Sequence, residues 1–178
     1  MSEKVLLDSK KIQIILLRLV YEIIENHKDF KDTILIGLQP RGVFLYEQIL
    51  KIIKKNHPEK SITSGVLDFT FFRDDFRRSE KTLNASSTNI NFTIENKKII
   101  LIDDVLFTGR SIKSAMSAID SYGRPKSIEL LVLIDRRFKR EIPIEPTYCG
   151  AKIDTFKGDK VKVIWDEKSI NNKVFIES

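Results

Sequence analysis

The sequence has little cysteine, glycine or proline, and it lacks a long apolar run. Its 178 residues include one Cys, seven Gly and five Pro. The single cysteine, Cys149, excludes a disulfide framework and a cysteine-based zinc site, and it fits a reducing compartment, so we expect a cytoplasmic protein. No apolar stretch approaches the roughly 18 residues of a membrane span, and Met1-Ser2-Glu3-Lys4 lacks the basic-then-apolar order of a signal peptide. We therefore expect neither export nor a membrane partner.

Charge of one sign is only in modest excess. Thirty-one Lys and Arg residues face 25 Asp and Glu residues, which leaves a net charge of +6 and a pI near 9.3. This balance suits nucleic acid or a polyanionic small molecule as partner. A solvated, lysine-rich surface explains it equally well, so charge alone does not separate these classes.

Apolar periodicity predicts one continuous α/β domain over residues 1–178. Helical spacing of apolar residues indicates an amphipathic helix over Ser9–His27, and the apolar run Thr33–Leu38 indicates a buried strand. Strands that alternate with helices and are apolar on both faces indicate a mainly parallel sheet covered on both sides. The other predicted elements are a helix over 43–55, a long strand over 62–72, strands over 98–102 and 127–134, a helix over 111–122, a loop-rich stretch to 155, and two antiparallel strands over 160–165 and 173–176.

The apolar pattern disappears between Arg73 and Asn96. So long an unpatterned stretch inside a compact domain indicates a functional lid or a disordered insert. Ligands of parallel sheets bind beyond the carboxyl ends of the strands. Functional residues are therefore expected in the loops 39–42 and 103–111 and in the segment after 134.

The clearest chemical signal lies in residues 99–111, with the sequence IILIDDVLFTGRS. An apolar strand ends in Asp103 and Asp104, and a turn with Thr108, Gly109 and Ser111 then opens a helix. Hydroxyls and backbone amides at a helix N-terminus bind phosphate, while adjacent carboxylates suit sugar hydroxyls or a magnesium ion. For any one of these residues, ordinary capping is an alternative. The spacing excludes a P-loop and a dinucleotide-binding fingerprint.

These residues resemble those of a known family. The segment 99–119 is similar to the phosphoribosyl-diphosphate (PRPP) signature of type I phosphoribosyltransferases, and nearly the whole chain resembles the PyrR family, bacterial pyrimidine-operon regulators that also act as uracil phosphoribosyltransferases. The other matching segments are ILIGLQPRGV at 34–43, LDFTFFRDD at 67–75, GRP at 123–125, REIPI at 140–144 and YCG at 148–150. The resemblance implies the type I fold, in which a central, mainly parallel sheet is flanked by helices. It also implies a lid over about 74–92 and a small C-terminal hood over about 135–178.

The resemblance also implies roles for individual residues. Asp103, Asp104 and Arg73 would be catalytic, and the two aspartates would hold the ribose hydroxyls directly or through Mg²⁺ and water. Asp135 and Arg136 would border the base pocket. The residues implied to bind PRPP are Arg41, Gly42, Asp74, Asp103, Asp104, Val105, Phe107, Thr108, Gly109, Arg110 and Ser111.

The implied reaction transfers the phosphoribosyl group of PRPP to uracil with Mg²⁺, giving UMP and diphosphate. One alternative is an RNA-binding attenuation regulator that responds to UMP or UTP, with Arg18 and Lys157 as possible RNA contacts; both also fit solvated surface charge. A second alternative is a purine phosphoribosyltransferase, because the RFK insert at 137–139 is longer and bulkier than the family pattern beside the base pocket. Relatives also imply a homo-oligomer, a dimer or larger.

The diphosphate loop departs from the family at Pro40. The peptide corresponding to Pro40–Arg41 is often cis in the superfamily. Proline favours the cis isomer only at the bond that precedes it, here Gln39–Pro40. The sequence therefore leaves the isomer at Pro40–Arg41 open.

Overall fold

A computed structural model describes residues 3–74, 85–155, 158–166 and 171–177. The helices are α1 (Ser9–His27), α2 (Gly42–Asn56) and α3 (Arg110–Ile119). The strands are β1 (Glu3–Leu7), β2 (Thr33–Leu38), β3 (Thr63–Leu67), β4 (Lys98–Leu106), β5 (Ser127–Arg136), β6 (Tyr148–Ile153), β7 (Lys160–Ile164) and β8 (Lys173–Glu177). Within these ranges, no helix is both long enough and apolar enough to span a membrane.

The central sheet has five parallel strands in the order β3-β2-β4-β5-β6. All six residues of β2 are buried, as expected for a strand covered on both faces. Side chains of α1 and α2 pack into one apolar cluster on the sheet, and side chains of α3 pack into a second cluster on it. The predicted α/β class and mainly parallel sheet are confirmed.

Helix α1 has the predicted bounds. The side chain of Asp8 accepts a hydrogen bond from the backbone amide of Lys11 at 2.8 Å, which satisfies a donor that lacks an intrahelical partner. Ile12, Leu19 and Ile23 recur at helical spacing and are fully buried. Periodicity and cap therefore agree on the start and the inward face of this helix.

A second sheet has three antiparallel strands in the order β1-β8-β7. The predicted antiparallel pair is confirmed as β7 and β8. Strand β1 was not predicted, because its short sequence EKVLL begins with two charged residues and shows no alternation of polar and apolar residues. Its first three residues are exposed in the structure. We call this small sheet the hood sheet; it contacts the main body where β7 lies next to β4.

The predicted long strand over 62–72 is wrong. Strand β3 ends at Leu67, and a 3-10 turn follows at Thr70–Phe72. The carboxylate of Asp68 accepts hydrogen bonds from the amides of Thr70 at 2.7 Å and Ser86 at 2.6 Å. This side chain ends the strand by offering the backbone another acceptor.

Further boundaries differ from the prediction, and α3 ends at Ile119 where a helix to 122 was predicted. Strand β4 runs on past Ile102 to Leu106, because Asp103 and Val105 keep their pairing with β5. The stretch 135–155 is not only loop: β5 continues to Arg136, and Tyr148–Ile153 forms β6, which pairs with β5 in parallel. Residues 148–153 thus belong to the central sheet.

Candidate active site

The carboxyl ends of β2 and β4 flank a cleft of about 390 Å³. After β2 the chain runs outward to β3 and then crosses back to β4, so these neighbours form the topological switch point where ligands of such sheets bind. Among the residues with a predicted role, the cleft brings together Arg41, Arg73, Asp103, Asp104, Val105 and Ser111. Gln39, Pro40, Phe69 and Val161 also line it and had no predicted role.

Asp103 and Asp104 lie on the last residues of β4, and Asp104 is buried. Its Oδ2 accepts from Nε of Arg41 at 2.9 Å, and its backbone amide donates to Oδ1 of Asp103 at 2.9 Å. Burial, followed by the charge of Asp104, raises the pKa of Asp103 to about 8. Asp103 is therefore harder to ionise than a free carboxyl group as long as no cation lies beside it.

Arg41 joins three parts of the structure. Besides its ion pair with Asp104, its Nη2 donates to the backbone oxygen of Val163 in the hood sheet at 2.9 Å. About half of its side chain remains exposed. Its guanidinium therefore faces the cleft with hydrogen-bonding capacity for an anion. The cis bond in its loop is Gln39–Pro40, one peptide before the bond often cis in the superfamily.

Gly42 starts α2 against the backbone of β4. A Cβ at this position would lie 2.8 Å from Cα of Asp103 and 3.1 Å from its Oδ1. Only glycine allows the helix to begin this close to the carboxylate pair. The close approach seen here is to β4, and the predicted contact with diphosphate stays a prediction.

Residues 107–111, which we call the phosphate loop, connect β4 to α3. Gly109 has φ +89°, a conformation that favours glycine, and it caps α3. The amide of Arg110 donates to Oγ1 of Thr108 at 3.4 Å. The first amides of a helix lack intrahelical acceptors and face an anion with favourable dipoles. Binding of a phosphate at this loop stays a prediction.

Segment 140–142 covers the phosphate loop from outside. The amides of Glu141 and Ile142 donate to the backbone oxygen of Thr108 at 2.9 and 3.0 Å. Arg140 donates to the backbone oxygen of Phe107 and to the carboxylate of Asp135. Arg110 donates to the carboxylates of Glu141 and Asp74. Arg140 and Glu141 had no role predicted from sequence, although they belong to the matching REIPI segment.

Asp135 and Arg136, at the end of β5, are both buried. Asp135 pairs with Arg140. The guanidinium of Arg136 lies 3.9 Å above the ring of Phe107, and its Nη2 donates to Oγ1 of Thr155 and the backbone oxygen of Asp159. Desolvation lowers the pKa of Arg136. These contacts join the phosphate loop to the start of the hood sheet, and the base-pocket role stays a prediction.

Comparison with known proteins identifies the family. The sequence model of the phosphoribosyl transferase domain matches residues 2–168. Bifunctional protein PyrR of Caldicellulosiruptor bescii is 42% identical over 174 residues, which cover 98% of this chain and 94% of that protein. Bifunctional protein PyrR of Staphylococcus saprophyticus is 37% identical over 177 residues, 99% of this chain and all of that protein. The chain belongs to the PyrR family of phosphoribosyltransferases. The resemblance inferred from the motifs is confirmed.

Solved structures confirm the fold of this PyrR-family chain. A hypoxanthine phosphoribosyltransferase from Staphylococcus aureus superposes with a TM-score of 0.65 at 22% identity, covering 88% of this chain and 80% of that one. A hypoxanthine-guanine-xanthine phosphoribosyltransferase superposes with a TM-score of 0.65 at 18% identity, covering 97% and 92%. At these identities the likeness concerns the type I phosphoribosyltransferase fold alone.

The carboxylates of this PyrR-family site fit a magnesium ion. Within the ranges that the structure describes, no three His, Cys, Asp or Glu side chains cluster as a metal site. Magnesium is commonly held by one or two carboxylates together with substrate phosphates and water. Asp103 and Asp104 provide two carboxylates beside the cleft. These two carboxylates therefore fit a magnesium ion whose remaining ligands are phosphate and water.

Of the two possible RNA contacts of this PyrR-family chain, the structure describes only Arg18. Nη2 of Arg18 donates to the backbone oxygens of Cys149 and Gly150 at 2.9 and 2.8 Å, and Nη1 donates to Glu22 at 2.5 Å. The guanidinium thus joins α1 to β6 and is more than solvated surface charge. Lys157 lies outside the described residues. RNA contact by either residue stays a prediction.

Proposed function

We propose that this PyrR-family enzyme transfers the 5-phosphoribosyl group of PRPP to uracil, giving UMP and diphosphate. The observation that carries the proposal is the position of Asp103 and Asp104 between the phosphate loop and Arg41. One edge of the sheet then offers separate groups for the 5′-phosphate, the ribose and the diphosphate.

Each part of PRPP has a partner in this proposal. The amides at the start of α3, the hydroxyls of Thr108 and Ser111, and Arg110 bind the 5′-phosphate. Asp103 and Asp104 bind the ribose hydroxyls and share the magnesium of the diphosphate. Arg41 binds the diphosphate by charge, and Arg73, which lines the same cleft, contributes beside it. Magnesium, when bound with PRPP, neutralises charge on the leaving group.

The reaction is a displacement at the anomeric carbon of the ribose. A uracil nitrogen forms the new C–N bond and releases its proton to solvent, and the C–O bond to diphosphate breaks with its electron pair leaving on the diphosphate. Positive charge develops on the ribose ring, and the carboxylates of Asp103 and Asp104 stabilise it. Arg41 stabilises the departing diphosphate. The protein therefore acts by positioning and electrostatics, with no covalent intermediate.

The identity of the accepted nucleobase distinguishes a uracil phosphoribosyltransferase from a purine phosphoribosyltransferase. Asp135 and Arg136 are the proposed residues of the base pocket, beneath the hood sheet. A nucleobase panel with PRPP and magnesium, read out as diphosphate release, tests the proposal. We expect turnover with uracil; turnover with hypoxanthine or guanine and not uracil would replace it with a purine reaction.

Two variants test the carboxylate assignment. Asp104→Asn should lower kcat/KM at least 100-fold, because it removes a charge that faces the reacting ribose. Asp120→Asn is the matched control, since Asp120 is an exposed carboxylate beyond the last residue of α3. Unchanged turnover in Asp104→Asn would refute the ribose-binding role.

We propose a second function, UMP- or UTP-responsive binding of pyrimidine-leader RNA. The observation that favours it is the name of the relatives, which are called bifunctional. The net charge of +6 is compatible with it. Titration of a leader hairpin with and without UMP, against an unrelated RNA, tests it. Equal affinity for both RNAs regardless of UMP would refute it.

We also infer a homo-oligomer that acts in the cytoplasm. Helix α1 exposes Ile14, Leu17 and Tyr21 by 68%, 40% and 47%, and this apolar face supports self-association. The reducing compartment suits the free Cys149, whose pKa is raised by burial. Light scattering of the wild type and of Ile14→Glu tests the interface, and a monomeric wild type would refute the inference.

A further inference from the structure

The phosphate loop is held from outside by a neighbouring segment, Arg140-Glu141-Ile142. Three donors of this segment bind two consecutive carbonyls: Arg140 binds the oxygen of Phe107, and the amides of Glu141 and Ile142 both bind the oxygen of Thr108. Two amides on one oxygen, at 2.9 and 3.0 Å, fix the direction of that carbonyl.

Fixing these carbonyls also fixes the amides across each peptide. In a planar trans peptide the C=O and the following N–H point in opposite directions. The carbonyls of Phe107 and Thr108 point to segment 140–142, so the amides of Thr108 and Gly109 point away from it. Two consecutive amides that face one side form a concave site for an anion. The segment therefore determines where the phosphate-binding amides point.

Arg140 anchors this arrangement in the central sheet. Its other contact is the carboxylate of Asp135, a buried residue at the end of β5. Gly109 packs closely against the same segment, because a Cβ there would lie 3.2 Å from Cβ of Ile142. Side chain, backbone and packing thus hold the loop in one place.

Glu141 acts on the side chain that should meet the phosphate. Its carboxylate accepts from Nε of Arg110, and Asp74 accepts from Nη1 of the same guanidinium. A charge-assisted bond to Nε fixes the plane of a guanidinium while its terminal nitrogens can still bind a further anion. The pKa of Arg110 is raised by Glu141 and then Asp74, so the side chain stays fully cationic.

We propose that Arg140 and Glu141 are positioning residues for the 5′-phosphate: Arg140 orients the amides of the phosphate loop, and Glu141 orients Arg110. Neither touches the reacting atoms. The inference rests on the proposed function for the identity of the ligand.

The test compares two fragments of PRPP as probes. Ribose 5-phosphate needs the phosphate loop, whereas inorganic diphosphate with magnesium uses Arg41 and the carboxylate pair. Calorimetric titration should show that Arg140→Lys and Glu141→Gln each bind ribose 5-phosphate about tenfold more weakly than the wild type. A loss of this size is expected when a charge-assisted hydrogen bond is removed. Diphosphate affinity should stay within about twofold, because its partners are untouched.

Lysine is chosen at 140 because its ammonium can still pair with Asp135 but lacks the second terminal nitrogen with which Arg140 also binds the oxygen of Phe107. Arg140→Gln would leave a buried carboxylate unpaired, which endangers folding. The double variant Asp135→Asn/Arg140→Gln removes both charges and serves as the second test. Arg137→Gln is the matched control, since Arg137 lies three residues before Arg140 in the connection between β5 and β6 and pairs with Asp154, away from the phosphate loop.

The steady-state readout is the KM for PRPP, which should rise about tenfold in Arg140→Lys and Glu141→Gln while Arg137→Gln stays at the wild-type value. Equal loss of diphosphate and ribose 5-phosphate affinity would overturn the inference, because it would indicate general disorder of the site. Unchanged ribose 5-phosphate affinity would also overturn it. A wild type that binds ribose 5-phosphate selectively but does not use uracil would refute the proposed base and leave this inference supported.

Discussion

Replacing Asp103 by Asn should stabilise the free protein while abolishing its activity. Burial and the charge of Asp104 raise the pKa of Asp103 from 3.8 to about 8. The folded state therefore binds this proton more tightly than the unfolded state. The stabilisation is complete below the unfolded pKa and is lost as the pH rises through the folded pKa. Asn resembles the protonated carboxyl and does not ionise, so the variant keeps this stability at every pH.

The magnitude follows from the pKa difference. One pKa unit corresponds to about 1.4 kcal/mol, so a rise from 3.8 to about 8 sets an upper limit of about 6 kcal/mol above pH 8. The side chain keeps partial contact with the cleft, and Arg41 offsets part of the charge. We therefore expect a gain of about 1–3 kcal/mol, or several degrees in Tm for a chain of this length. The hydrogen bond from the amide of Asp104 survives, since Oδ1 of Asn can accept it.

Urea unfolding and thermal melts at pH 5.5, 7 and 8.5 measure this effect. The difference between Asp103→Asn and wild type should grow with pH. Asp29→Asn is the control, because Asp29 is exposed and Lys31 lowers its pKa, so no such growth is expected. If Asp103→Asn is no more stable than wild type at pH 8.5, or if the difference does not change with pH, the carboxylate pair is not a destabilising charge cluster.

Three other substitutions test single contacts of the site and the fold. Gly42→Ala should lower the free energy of unfolding by about 1–3 kcal/mol, because the new Cβ would overlap the backbone at Asp103; a melt at or above wild type would contradict this close packing. Arg41→Gln should weaken binding of magnesium diphosphate about tenfold by calorimetry, since it removes the cation beside Asp104, and unchanged affinity would assign the diphosphate elsewhere. Arg18→Ala should lower the free energy of unfolding measured in urea by about 1–2 kcal/mol, because it removes two hydrogen bonds to β6. An unchanged free energy of unfolding would indicate that Arg18 is only a solvated surface charge.

Periodicity and local motifs predicted the features that depend on neighbouring residues. Helix α1 was predicted to the residue because its apolar spacing and its cap at Asp8 coincide. The turn between β4 and α3 was predicted because an apolar strand, a turn and a helix start follow one another within residues 99–111. The end of β3 was missed because the β-branched and aromatic residues after Asp68 favour a strand, whereas Asp68 bonds to Thr70 and to Ser86, 18 residues later.

Contacts between distant residues explain most of what sequence could not give. The ion pair of Arg41 with Asp104 joins residues 63 apart, and the bond from Arg140 to Phe107 joins residues 33 apart. Either arginine alone fits a ligand contact or a surface charge. Only the three-dimensional structure shows that Arg140 donates to the backbone oxygen of Phe107 and that Arg41 pairs with the carboxylate of Asp104.

The hood sheet has a consequence for how the protein matures on the ribosome. Its strand β8 lies between β1 and β7, so Glu3 pairs with Glu177 from opposite ends of the described chain. The five parallel strands can assemble as residues 33–153 emerge, but the hood sheet must wait until β8 has left the exit tunnel. Since the backbone oxygen of Val163 in that sheet accepts from Arg41, the Arg41 side of the cleft is completed last. A nascent chain would thus form residues 107–111 before Arg41 is fixed, and activity should appear only once β8 has joined the hood sheet.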